Sequence, residues 1–351
     1  MTTEWRYLQA FAAHFHRCGL RAGETVAVLS EAQSRPVLVE TARLAAQSLG
    51  GRAFDVVVPT PASAHAVPIR STGASQAIAG HPAVIAALAA SDLVLDCTVE
   101  GLLHSPELGQ ILGGGARVLM ISNEHLDVLE RIGWDDDMPR RVELGYRWIN
   151  AAQVMNVTSA AGTDLTVLLA GASAAGSTGL TTGPGSIAHW PGGLVAAFPA
   201  AHSVSGTIVL APGDMNLTFN DLIRTPVVLH IVDDHIEDIV GDGADAILFR
   251  SYLSAFGDRE SYATSHVGWG MNQLARWDAA QLFDKRETWG TEARVYAGNF
   301  VYSTGANELA GRFTAGHFDL PMRCCTITLD GRTIVEEGVL IAELAPPATG
   351  P

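Results

Sequence analysis

Two short segments carry metal-binding side chain types at spacings that one ion can use. His317 and Asp319 form a His-x-Asp pair within Gly316-His317-Phe318-Asp319-Leu320-Pro321. In an extended chain, residues i and i+2 point to the same side, so an imidazole nitrogen and a carboxylate oxygen can reach one metal while Phe318 faces the opposite layer. Taken alone, the pair also fits a turn histidine beside a solvated aspartate. His266 lies in Ser265-His266-Val267-Gly268-Trp269-Gly270, where glycines flanking a tryptophan indicate close backbone approach. A third ligand from this segment completes two histidines and one carboxylate. That set occupies one face of an octahedral Fe(II) and leaves the other open to a substrate and dioxygen, whereas zinc more often takes a closed tetrahedral set or a histidine-rich open one.

These segments need a scaffold, and the sequence predicts two parts. From Glu24 to Arg131 strand-like runs (24–31, 51–59, 91–97, 117–122) alternate with helical ones (36–50, 82–90, 123–131). This order implies an α/β N-terminal domain with a mostly parallel sheet, residues 1–153. Beyond it the pattern changes to short strands at 155–170, 194–198, 206–210 and 227–240, with turns at Asp233-Asp234 and Asp330-Gly331 and a helix at 244–256. Residues 154–351 therefore read as an α+β metal-binding domain with mixed or antiparallel strands.

Of the 12 histidines, His14, His16 and His125 fall in helical stretches and His65 and His81 in loop-like sequence, where surface or structural roles are expected. Gly171 to Thr178 imitates a phosphate-binding loop, but Ser177 stands where the lysine must be, so it reads as a small-residue loop. A net charge of −15, with 22 basic residues against 37 acidic ones, argues against a nucleic-acid partner. No apolar run is long enough to span a bilayer. The first 17 residues lack the pattern of a secretory signal, and four cysteines without a framework suit a reducing compartment, so a cytoplasmic location is expected.

Several blocks together resemble the 2,5-dihydroxypyridine 5,6-dioxygenase family, within the wider superfamily of the M29 aminopeptidases. Ser265-His266-Val267-Gly268-Trp269-Gly270-Met271 is similar to the family's S-H-I-G-W-G-L. Gly298-Asn299-Phe300-Val301-Tyr302-Ser303-Thr304-Gly305 is similar to G-N-F-L-F-S-T-G, and His317-Phe318-Asp319-Leu320-Pro321-Met322-Arg323 to H-L-D-I-P-L-R. Leu102-Leu103-His104-Ser105-Pro106-Glu107 and His189-Trp190-Pro191 resemble L-L-H-S-P-E and H-W-P. The resemblance implies Fe(II) held by His266, His317 and Asp319, acid–base roles for His104 and His189, a small aromatic or heteroaromatic substrate with O2, and a homo-oligomer. The residues suit this division. His104 follows a strand at the loop where an α/β domain presents functional groups, and His189 precedes a rigid apolar Trp-Pro.

One segment departs from the family pattern. The family stretch before the second of these histidines is richer in acidic and aromatic residues, including a Glu near its start and an Asp just before the His, whereas in Gly176 to Ala188 those places hold Ser, Thr, Gly and Ala. If that loop lines the ring pocket, a different hydroxylated ring is accepted. The competing expectation is an M29-like metallo-aminopeptidase with a two-metal site, which needs further carboxylates upstream of His266. Glu237 is the candidate for one.

Overall fold

The computed structural model describes residues 3–65 and 75–346. The N-terminal region is built on a five-stranded sheet in the order Arg52–Val58, Thr25–Glu31, Leu93–Asp96, Arg117–Met120, Ile187–His189, every neighbouring pair parallel. Its central strands are buried on both faces. One face packs beneath the helices Trp5–Arg17 and Pro36–Ser48, the other beneath Pro82–Ala89 and Leu108–Gly113. This is why residues such as Leu93, Val94 and Leu95 run apolar without alternation. The fifth strand comes from beyond residue 153, so the chain returns to this sheet after leaving it.

The remaining strands are antiparallel. An eight-stranded sheet runs from His235–Val240 at one edge to Val339–Leu340 at the other. A second, five-stranded sheet has the order Arg312–Met322, Phe300–Asn307, Thr264–Gly270, Leu194–Phe198, Ser173–Ser177. The largest apolar core joins both sheets to the helices Met138–Ala151 and Ala244–Ala255, with Trp269, Phe249, Tyr302 and Phe318 fully buried. The structure is therefore α/β with a parallel sheet first and antiparallel α+β after it. Among the described residues, no helix is long and apolar enough to cross a membrane.

Two expectations change. Gly171 to Thr178 contains a strand, not only a loop: Ser173–Ser177 pairs with Leu194–Phe198. Its small residues let the helix Met138–Ala151 lie close, since a Cβ on Gly176 would stand 2.9 Å from Val142 Cγ1. Glu237 does not face a metal site. It sits on the edge strand His235–Val240, half-exposed, and pairs with Arg259 at 2.6 Å.

The chain path at Ser177 decides where chemistry can occur. The chain leaves the five-stranded antiparallel sheet, adds Ile187–His189 to the edge of the parallel sheet, and rejoins the antiparallel sheet at Leu194. Residues 178–193 thus tie the two sheets together, and His189 sits at the junction.

Candidate metal centre and active site

His266 lies on the central strand of the antiparallel sheet, where pairing with Phe300–Asn307 is interrupted by a bulge between Thr264 and Val267. A bulge turns a side chain away from the regular alternation, a device common beside active sites. His317 and Asp319 lie on Arg312–Met322 opposite Gly305 and Ser303. Phe318, between them, points into the core and packs on Phe249 with ring centroids 4.3 Å apart. The alternation expected of the His-x-Asp pair is therefore present.

The side chains converge. His104, His266 and His317 each offer a ligand nitrogen within 4.8 Å of the others, and all three are buried. Asp319 Oδ1 lies 3.2 Å from His317 Nε2 and 3.7 Å from His266 Nε2. Ser303 bridges the set: its hydroxyl donates to Asp319 Oδ1 and its oxygen lies 3.0 Å from His266 Nε2. The Arg294 guanidinium donates to the other carboxylate oxygen of Asp319 and lies over the Trp289 ring. Burial alone would raise the Asp319 carboxyl, but Arg294 and His317 outweigh it and hold the group well below the usual carboxylate range. Burial lowers both His317 and His266, the latter to about 3. The arrangement is two neutral imidazoles beside one anionic carboxylate, with His317 Nδ1 and His104 Nε2 buried and without a hydrogen-bond partner among the described residues.

His104 arrives from the parallel sheet. Asp96, at the end of Leu93–Asp96, accepts from Thr98 N, Thr98 Oγ1 and Leu102 N, at 3.0, 2.6 and 2.9 Å, and so shapes the loop that follows. Gly101 has φ +73°, and a Cβ there would meet Met120 Cε at 2.6 Å, so the turn before His104 requires glycine. The His104 ring centroid stands 4.5 Å from that of His317, and its Nδ1 lies 3.0 Å from Glu308 Oε2. His189 lies across a cavity. Its Nδ1 is 2.7 Å from Pro191 O, and a carbonyl can only accept, so Nδ1 carries the proton and the buried Nε2 is the free lone pair. Burial pulls its pKa down to about 4. The cavity, about 110 Å³, is bounded by His189 and His266 and by apolar groups including Leu103, Met120, Ala196 and Phe198. Both ends of the divergent segment, Gly176-Ser177 and Ile187-Ala188, form part of its wall.

The family model for 2,5-dihydroxypyridine 5,6-dioxygenase matches residues 6–342. The chain belongs to that family. The family's enzymes are oxidoreductases, and a curated relative, the 2,5-dihydroxypyridine 5,6-dioxygenase of Pseudomonas putida KT2440, is 36% identical over 323 residues, 91% of each chain. The solved structure of 2,5-dihydroxypyridine dioxygenase from Pseudomonas putida KT2440 superposes with a TM-score of 0.89 at 34% identity, covering 96% of this chain and 97% of that one. AmpT from Thermus thermophilus superposes with a TM-score of 0.65 at 12% identity, covering 96% and 99%, a likeness of fold alone.

All five sequence-predicted family site residues come to this junction: His104, His266, His317 and Asp319 in one cluster, His189 on the wall of the adjoining cavity. The structure adds three that sequence reasoning missed. Ser303 lay within a recognised block without being singled out. Arg294 and Glu308 carry no local signal, because each meets its partner only through the fold.

Proposed function

We propose that the chain is an Fe(II)-dependent dioxygenase that opens the ring of 2,5-dihydroxypyridine, giving N-formylmaleamate, or of a closely related hydroxylated heteroaromatic. The observation that carries this reading is the meeting of His266, His317 and Asp319 beside an apolar cavity, in a chain of this family. Two neutral imidazoles and one carboxylate are the donor set that suits Fe(II) and leaves room for further ligands. Bound iron would supply the electron transfer that lets dioxygen react with the ring.

The chain's own residues do the rest. The apolar walls exclude bulk water and orient a flat ring. His104 Nε2 takes the 5-hydroxyl proton, making the ring electron-rich, and His189 Nε2 moves a proton during ring opening. His104 could instead be counted with the metal, a three-histidine set of the sort open zinc sites use. Its place on a loop from the other sheet, away from the strands of His266 and His317, favours the base role.

The test is anaerobic reconstitution with Fe(II), then oxygen uptake with 2,5-dihydroxypyridine and hydroxypyridine analogues. One iron per chain and one O2 consumed per ring are expected. No uptake with any ring would overturn the reading, and two zinc or cobalt ions per chain with peptide hydrolysis would replace it with the aminopeptidase. Because Gly176, Ser177, Ile187 and Ala188 form cavity wall, the analogue panel also decides which ring is preferred.

A further inference from the structure

We propose that Glu308 is a positioning residue that fixes His104 in the tautomer with its proton on Nδ1, so that the Nε2 lone pair faces the reaction site. The inference rests on the base role given to His104 above. Glu308 Oε2 lies 3.0 Å from His104 Nδ1, and an ionised carboxylate can only accept, so Nδ1 must donate. The opposite tautomer would set a lone pair against the carboxylate and leave an N–H where the base must act. His104 Nε2 is buried and has no hydrogen-bond partner among the described residues. Its ring stands 4.5 Å from the His317 ring and 6.3 Å from the His266 ring, centroid to centroid, so the free nitrogen belongs to the reaction site.

The carboxylate is held in place by the strands that carry the metal-binding residues. Glu308 begins the short turn Glu308–Ala310, at the tip of the hairpin between Phe300–Asn307 and Arg312–Met322. Asn307 Oδ1 accepts from Ala310 N at 3.1 Å, and Asn307 Nδ2 donates to Ser265 O and Pro199 O, each at 3.0 Å. The turn is therefore anchored to the strand of His266. Glu308 itself is only partly buried, at the wall of an open groove formed with Pro106, Phe313 and Thr314. Burial works against the charged carboxylate, but the hydrogen bond and field of His104 outweigh it, and the group is reachable by small solutes from the groove.

Three variants test this: Glu308→Gln, Glu308→Ala and Glu308→Asp. The first readout needs no turnover. Nitrogen-15 spectra of the imidazoles in Zn(II)-loaded protein, with His104 assigned from His104→Asn, should show Nδ1 protonated in the parent and a mixed or reversed tautomer in Glu308→Gln. The second uses the Fe(II) enzyme with 2,5-dihydroxypyridine. In Glu308→Gln and Glu308→Ala kcat should fall at least about tenfold, the scale set by general-base catalysis, with KM and iron per chain within about twofold. Formate should restore part of the rate of Glu308→Ala, and Glu308→Asp should keep more activity than Glu308→Gln. An unchanged tautomer in both Glu308→Gln and Glu308→Ala would overturn the proposal, since a glutamine oxygen can still accept from Nδ1. So would iron loss parallel to rate loss, because Glu308 would then be supporting a metal ligand. If the parent does not consume 2,5-dihydroxypyridine, the functional reading falls, and the spectra still decide the pairing.

Discussion

A histidine whose Nδ1 is committed to an acceptor has a single nitrogen left to offer, and this constraint fixes which atom His189 and His104 present to the site. His189 gives Nδ1 to Pro191 O, and His104 gives it to Glu308. Both present Nε2. His317 instead has Nε2 beside Asp319 and a buried, unpartnered Nδ1, the state of a ring built around something else. The division predicts different failures. His104→Ala should lower kcat by about 10²- to 10⁴-fold, the usual worth of a general base, while iron per chain stays near that of the parent. His317→Ala should lose the iron itself. Measuring metal content and turnover on the same preparations checks both, and iron loss in His104→Ala would make that residue a ligand. Ser303→Ala offers a milder test. It removes the donor to Asp319 Oδ1 and the neighbour of His266 Nε2, so metal affinity should weaken about 10- to 100-fold, the usual effect of losing a ligand's own hydrogen-bond partner. Metal competition with a chelator reads this directly.

At the scale of elements, the site depends on how closely two strands approach. Gly305 opposes His317 with φ +97°, and a Cβ there would lie 1.8 Å from Gly316 O. Gly305→Ala should cost about 1–3 kcal/mol from backbone strain, with the clash in addition, and should release metal by moving His317. Gly109, in the helix Leu108–Gly113, has nothing within 4 Å, so Gly109→Ala should be neutral or stabilising by up to about 1 kcal/mol. Urea midpoints at unchanged slope distinguish the two cases.

What the sequence showed of these elements follows from pattern length. Strands buried on both faces, such as Leu93–Asp96, and hairpins with two-residue turns, such as Asp233-Asp234, are readable because local residues decide them. The helix Met138–Ala151 was not readable. Its inner face includes Arg141, fully buried on Met271 O, Leu344 O and Asp135, and Gly145, where a Cβ would stand 3.0 Å from Val195 Cγ2. The buried positions 138, 141, 142, 145 and 149 keep helical spacing, but a charge and a glycine take two of them, so the apolar residues alone are sparse. Ile187–His189 is three residues long, too short for any period, though it completes the parallel sheet. In the site, the metal-binding pair was legible because its spacing is local. The Glu308–His104 contact was not, since 204 residues separate the partners.

For the molecule as a whole, the segment 178–193 that joins the sheets is itself clamped from the N-terminus. His14, on the helix Trp5–Arg17, donates from Nε2 to Gly179 O at 2.8 Å and stacks on Trp190, centroids 4.1 Å apart and planes within 5°. Phe11 meets the same indole edge-on. His14 is 4% exposed, and burial pushes its pKa down to about 3. In the unfolded chain it titrates near 6.5, so between pH 6.5 and 3 the unfolded state binds the extra proton. Stability from this group is therefore complete above pH 6.5 and drains away as the pH falls, by up to about 1.4 kcal/mol per pH unit. His14→Gln keeps an amide N–H for Gly179 O without a titrating ring. It should fold at pH 8 with a modest loss from the missing stack, and its stability should fall less steeply than the parent's between pH 6.5 and 4. Denaturant unfolding across that interval measures the slopes. Equal slopes would mean that His14 keeps an ordinary pKa and that the acid sensitivity of the clamp lies elsewhere. A shallower slope in His14→Gln would place it where the N-terminal helix meets the loop carrying His189, so that acid loosens the active-site wall along with the fold.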